Sequence, residues 1–104
     1  MKKKIKHSRK GSEGIVPGDY NGEVNKNNHP HGKGECMYED KHFYKGEWFN
    51  GKRQGKGKLT WPNNDIYDGD WKNDQPNGKG KFIFKGSTND TYEGDVKNLS
   101  LIHI

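Results

Sequence analysis

Three patterns in this chain have the residue types for chemistry. Gly32-Lys33-Gly34, Gly55-Lys56-Gly57 and Gly78-Lys79-Gly80 each set a lysine between glycines, the ingredients of a phosphate cradle made of backbone amides and an ammonium. Such a cradle takes the form GxxxxGK[ST] ahead of a helix. No such string occurs, and each triplet instead opens a stretch of alternating residues that has the period of a strand. His29-Pro30-His31 and Cys36 offer imidazoles and one sulfur, but the chain holds a single cysteine, and His31 occupies the slot that Gln54 and Asn77 fill in parallel stretches. A nucleophile, a base and an orienting acid do not recur at useful spacing, so no catalytic residue, cofactor or metal is expected and the chain reads as a non-enzyme. Cys36 falls on the slot of Leu59 and Phe82 and reads as a small packing residue. A lone cysteine cannot form an internal disulfide and suits a reducing, cytoplasmic compartment.

The remaining chemistry is charge. Residues 1–19 carry six basic side chains, Lys2, Lys3, Lys4, Lys6, Arg9 and Lys10, against Glu13 and Asp19, a net +4 of the chain's total of +5. With Gly11, Gly14, Pro17 and Gly18 and no periodicity, this segment reads as a flexible tail whose basic residues are the candidate contacts for an acidic partner. Beside an anionic membrane each is worth up to about 1 kcal/mol, enough for peripheral contact and too little for stable anchoring. Nucleic acid is disfavoured, because the tail has no aromatic residue for stacking and no reading motif follows. No apolar run follows the lysines as in a secretory signal, and no stretch of 18 apolar residues is present.

The elements that position these residues repeat. Tyr20, Tyr44, Tyr67 and Tyr92 lie 24, 23 and 25 residues apart, and each is followed by x-Gly-acid. The units run over residues 20–43, 44–66 and 67–91, with a partial fourth at 92–98. A hydrophobic content of 26% and 32% charged residues sit close to the disordered class, but 12% aromatic residues and 15 glycines held in register argue for order. By a period of two, Tyr44, Gly46 and Trp48 share one face, and after the turn Gly55, Gly57, Leu59 and Trp61 share it too; Tyr67, Gly69, Trp71, Gly78, Gly80, Phe82 and Phe84 repeat the pattern. Each unit is therefore a β-hairpin with an aromatic face and a charged face. Acids of the first strand are expected to pair with lysines of the second, as Glu23 with Lys33, Glu47 with Lys56 and Lys58, and Asp68 and Asp70 with Lys79 and Lys81.

Glycine weakens a strand, so its recurrence at Gly22, Gly34, Gly46, Gly57, Gly69, Gly80 and Gly94 needs a cause. Close approach supplies one: without a side chain, the backbone leaves room for an aromatic ring to lie flat across it. Asn50-Gly51 and Asn73-Asp74 are expected to make the bends, and Pro62-Asn63-Asn64 a link between units.

YKGEWFNGKRQGKG and YDGDWKNDQPNGKG resemble the MORN repeat, roughly Tyr-x-Gly-x-Trp-x-x-Gly-x-x-x-Gly-x-Gly. The positions that carry the resemblance are Tyr20, Gly22, Gly32 and Gly34; Tyr44, Gly46, Trp48, Gly51, Gly55 and Gly57; Tyr67, Gly69, Trp71, Gly78 and Gly80; and Tyr92 and Gly94. Val24 stands in for the tryptophan of the first unit, and Asp74 for the turn glycine of the third. The resemblance implies an all-β, single-layer antiparallel sheet of stacked hairpins with a role in scaffolding or oligomerisation, and the extended aromatic face and edge strands are the surfaces expected to meet protein partners or a second copy. It also admits peripheral attachment to anionic membranes or phosphoinositides, or a regulatory array ahead of a catalytic domain such as a lipid kinase or methyltransferase. Leu99-Ser100-Leu101-Ile102-His103-Ile104 breaks the pattern. The hexapeptide is what a transposon-derived sequencing adapter encodes in frame, so residues 99–104 are expected to be an artefact and the natural sequence to continue differently after Asn98.

Overall fold

A computed structural model describes residues 2–11, 14–85 and 90–97. Residues 98–104, and with them the expected adapter segment, lie outside that description. Ten strands and no helix occur among the described residues: β1 (Lys2–Lys6), β2 (Arg9–Gly11), β3 (Gly14–Val16), β4 (Gly18–Val24), β5 (Pro30–Tyr38), β6 (Phe43–Phe49), β7 (Lys52–Thr60), β8 (Ile66–Lys72), β9 (Gln75–Phe84) and β10 (Asp90–Lys97). Eight form one open antiparallel sheet in the order β1-β4-β5-β6-β7-β8-β9-β10, while β2 and β3 pair with each other. The hairpins β4–β5, β6–β7 and β8–β9 are the three full units, and β10 is the first strand of the fourth. The sheet of stacked hairpins expected from the sequence is the fold observed.

The bends follow from backbone chirality. Asn50 and Gly51 have φ of 48° and 83°, and Asn73 and Asp74 have 52° and 69°. Two consecutive positive values make the two-residue turn whose twist matches that of the strands. Asp74 keeps the bend without glycine because Asp tolerates the left-handed region better than most residues. Its carboxylate also has work there: Oδ1 accepts from Arg53 N (2.8 Å) and Arg53 Nε (3.1 Å) in the neighbouring hairpin.

Every unit carries the same irregularity. Gly46 lies opposite Gly57 and Trp48 opposite Arg53, so three residues of β6 face five of β7. The shift recurs between Gly22 and Val24 and between Gly69 and Trp71. Gly32, Gly55 and Gly78 sit in the bulged segments with φ of 97°, 83° and 113°. The first glycine of each Gly-Lys-Gly triplet is thus required by backbone conformation.

The second glycine is required by space. A Cβ added to Gly57 would come within 2.5 Å of Tyr44 Cε1 and closer still to its Cζ and Oη, and Gly34 and Gly80 receive Tyr20 and Tyr67 in the same way. The phenol then donates to the carbonyl three residues on, from Tyr44 to Glu47 and from Tyr67 to Asp70, both at 2.8 Å. Tryptophan ties units together: Trp48 Nε1 donates to Gly34 O (3.1 Å) and Trp71 Nε1 to Gly57 O (3.0 Å), each in the preceding hairpin. The rings alternate edge to face across the sheet, Tyr20–Trp48 at 5.2 Å, Trp48–Tyr44 and Tyr44–Trp71 at 5.0 Å, and Trp71–Tyr67 at 5.5 Å. This file of rings, closed by Phe82, is the core of a single-layer protein. Beneath it, Gly22, Gly34, Gly46, Gly57, Gly69, Gly80 and Gly94 are paired strand to strand in one unbroken row.

The basic N-terminal segment departs from the expectation of a flexible tail. Lys2–Lys6 pair with Glu23–Asp19 as the outermost strand, and His7, Arg9 and Val16 lie against the aromatic face before Gly18 and Asp19 begin β4. His7 N donates to Gly18 O (2.9 Å), and the His7 ring stands edge-on to Trp48 at 5.5 Å with Nε2 2.7 Å from Gly51 O. The physical reason is Ile5 and Val16, which pack against the ring core and give the segment an apolar anchor that its net charge conceals.

Candidate functional site

The candidate site is the sheet face opposite the rings, where register sorts the side chains into rows that run across the strands. One row is Lys2, Glu23, Lys33, Glu47, Lys56, Asp70, Lys79 and Asp95, with directly opposed pairs Lys2–Glu23, Lys33–Glu47, Lys56–Asp70 and Lys79–Asp95. It alternates in sign from end to end. The next row is Lys4, Asn21, Glu35, Lys45, Lys58, Asp68, Lys81 and Glu93. It also alternates after Asn21, except that Lys45 and Lys58 stand side by side. Between the rows, over Gly22, Gly34 and Gly46, runs an open trough of about 710 Å³.

The face carries a third row that its charge pattern does not announce. Met37, Phe43, Thr60, Ile66 and Ile83 lie opposite one another across β5, β6, β7, β8 and β9. Their chain neighbours Cys36, Tyr44, Leu59, Tyr67 and Phe82 point into the ring core, which puts this row on the charged side. Met37 is 47% exposed and the others are half-buried. A signal for it was present in the chain, since Phe43 and Ile66 immediately precede the tyrosines that start units, and Met37, Thr60 and Ile83 immediately follow the core residue of the second strand.

At the bulges of the second and third hairpins the acid–lysine pairs differ from expectation. Because of the bulge, Glu47 accepts the backbone N–H of Lys56 at Oε2 (2.6 Å), and Asp70 accepts that of Lys79 at Oδ2 (3.1 Å). The Lys56 ammonium instead pairs with Asp70 of the following hairpin, and these two contacts hold the Asp70 carboxyl below its ordinary range. Asp68 does face Lys81 as expected, and Lys58 faces Asp68 from the other side.

Of the candidate anion contacts, Lys6 is ion-paired with Asp19 and Arg9 with Asp40, while Lys3 Nζ donates to Asn28 Oδ1 (2.7 Å). Lys2 and Lys4 begin the two charged rows, and Lys10 lies in β2 opposite Ile15. These residues are therefore spread over β1, the ring face and a small hairpin, and do not converge on one site. Arg9 also stacks on Tyr38 at 4.6 Å. Burial pushes Asp40 upward, but the bonds from Arg9 and the His42 backbone outweigh it and leave the carboxyl below its usual range; burial holds the His42 imidazole down against the pull of Asp40.

Arg53 was not singled out in the sequence and is the most buried cation among the described residues, 7% exposed. Its guanidinium lies 4.8 Å from the Trp71 ring centre and 5.8 Å from that of Tyr44, and Nη2 donates to Asp74 O (2.7 Å). It acts as a clasp between the second and third hairpins. Cys36 is fully buried, and its thiol is pushed up to about 11 by that burial, so it stays a thiol and packs as expected. Among the described residues, no three His, Cys, Asp or Glu side chains gather as metal ligands.

The MORN repeat family model matches this chain at residues 20–43, 44–66 and 67–88. The first two spans coincide with the sequence units and the third ends three residues earlier. No curated protein matches the chain.

Proposed function

Because the chain belongs to the MORN repeat family, we propose that it is a non-catalytic binding module for a protein partner, and that the face it uses is the one opposite the rings. The observation that carries this reading is the row Met37-Phe43-Thr60-Ile66-Ile83, four apolar residues and one threonine across five strands, bordered by a row of charges. Strands about 4.8 Å apart make it roughly 20 Å long, the reach of an extended or helical segment. The rings are spent on the core, so they are not the docking surface. Lys45 and Lys58, side by side between Glu35 and Asp68, are where an acidic side chain of the partner would add a counter-charge, since like charges facing each other across strands destabilise the pair. The partner is therefore a protein segment with apolar residues and an acid in register.

Membrane attachment is the weaker reading. Opposed charges neutralise most of this face, and Lys6 and Arg9 already have carboxylate partners. A peptide library panned on the full chain and counter-screened on Phe43→Glu and Ile66→Glu tests the proposal. Selected peptides should combine apolar and acidic residues and lose about tenfold or more of their affinity on either variant, as expected when a charge enters an apolar contact. Selected peptides indifferent to both substitutions would refute the assignment of this face. Co-sedimentation with anionic vesicles that depends on Lys2 and Lys4 would instead support the membrane reading.

A further inference from the structure

β1 belongs to no repeat unit, yet it keeps the register of one. Lys2, Lys3, Lys4 and Ile5 lie opposite Glu23, Gly22, Asn21 and Tyr20. Lys56, Gly57, Lys58 and Leu59 lie opposite Asp70, Gly69, Asp68 and Tyr67 of the next unit in the same way. Lys33, Gly34, Glu35 and Cys36 do so opposite Glu47, Gly46, Lys45 and Tyr44. Lys2 and Ile5 thus hold the places of the repeat's second-strand lysine and core residue, and Lys4 that of Lys58. The exception is Lys3, which stands where each repeat has the glycine that receives a tyrosine ring.

We propose that the outer edge of β4 is an acceptor for the second strand of a repeat, that β1 is its intramolecular ligand, and that Lys3 ends the array on this side. The strand that fits is of the type Gly-Lys-Gly-Lys-apolar: a lysine opposite Glu23, and an apolar residue beside Tyr20 that reaches the ring core as Ile5 does. Beyond β1 a further strand would bring its own tyrosine over position 3, and a Cβ there meets the ring at clash distance, as the glycines of the repeats show. The other edge is the mirror case. On β10, Tyr92 donates to Asp95 O (3.0 Å) like its counterparts, but it is 45% exposed, and among the described residues no glycine strand lies under it. Glu93 and Asp95 end the rows that Lys4 and Lys2 begin. In the described sheet, β10 of one copy is therefore complementary in charge to β1 of another, and Lys3 is what bars that contact. This inference concerns the sheet edges and does not depend on the apolar row.

Hydrogen exchange on the full chain reads the cap directly. In the wild type, residues 2–6 and 19–23 should exchange slowly. Ile5→Asp, or Lys2→Glu with Lys4→Glu should the first variant unfold the repeats, should speed both segments about tenfold or more while β6 to β9 stay protected. A synthetic peptide with the sequence of residues 55–60 should then restore protection to 19–23, and the same peptide with glutamates for its lysines should not. Fast exchange of residues 2–6 in the wild type, or unchanged protection of 19–23 in the variants, would overturn the cap. Lys3→Gly should associate in a concentration-dependent way in sedimentation; behaviour identical to the wild type would overturn the role of Lys3.

Discussion

Gly57→Ala tests the packing that defines the repeat. The new methyl would lie within 2.5 Å of Tyr44 Cε1 and nearer to two other atoms of that side chain, far inside any real contact, and Gly46 closes the other side with its own Cβ direction aimed at Gly57 Cα. Neither the backbone nor the ring has room to yield, because Tyr44 is fully buried between Trp48 and Trp71 at 5.0 Å each. Overpacking alone costs about 1–3 kcal/mol. If the ring leaves, the loss is the Tyr44–Glu47 hydrogen bond, about 1 kcal/mol, and part of the roughly 3–5 kcal/mol that a buried aromatic side chain contributes. The expected cost is about 3–4 kcal/mol, a large share of the stability of a small domain. The assay is urea unfolding followed by tryptophan fluorescence on the wild type, Gly57→Ala, Tyr44→Ala and the double variant. Once the ring is gone the methyl has space, so Gly57→Ala should become nearly neutral, with a coupling of at least about 2 kcal/mol. Additive losses would refute the account of glycine as a seat for the ring.

Two further outcomes follow from the same contacts. Arg53→Ala should cost about 3 kcal/mol or more, and Arg53→Met distinctly less, because methionine keeps the stem between Tyr44 and Trp71 while Asp74 is exposed enough to hydrate; equal midpoints in urea would show that the ring contacts contribute nothing. Alkaline pH should loosen the array: burial pushes the Tyr20 and Tyr67 phenols up to about 12, and those of Tyr38 and Tyr44 higher. An unfolded phenol releases its proton near 10.0 and the folded one does not, so this stability is complete below that pH and declines as pH rises from it towards 12. Unfolding that tracks phenolate absorbance is the expected result, and a urea midpoint flat across that range would contradict it.

The sheet and its ring seats were legible because period and face give the same answer at Tyr44, Gly46, Trp48 and Gly57. What escaped depends on geometry that the alternation rule hides. The bulge at Gly55 lets five residues face three, and so moves the partner of Glu47 from an ammonium to a backbone amide. Burial of Arg53 depends on Asp74, 21 residues away, and on rings from two hairpins. Lys2–Lys6 reads as part of a loose tail because Lys3 occupies the glycine slot, which erases the motif while Lys2 and Ile5 preserve the register.

The strand order has a mechanical consequence. From β5 to β10 each strand is paired only with its neighbours in the chain, by hydrogen bonds that run along the length of the array. Tension applied between the first and last strands therefore pulls each ladder open along its own bonds, peeling strands away one after another from the end. Tension along the strands has to shear an entire ladder at once. The array is compliant along its length and resistant across it, so a partner seated across the strands would splice neighbouring hairpins and stiffen the molecule in the direction in which it is weakest.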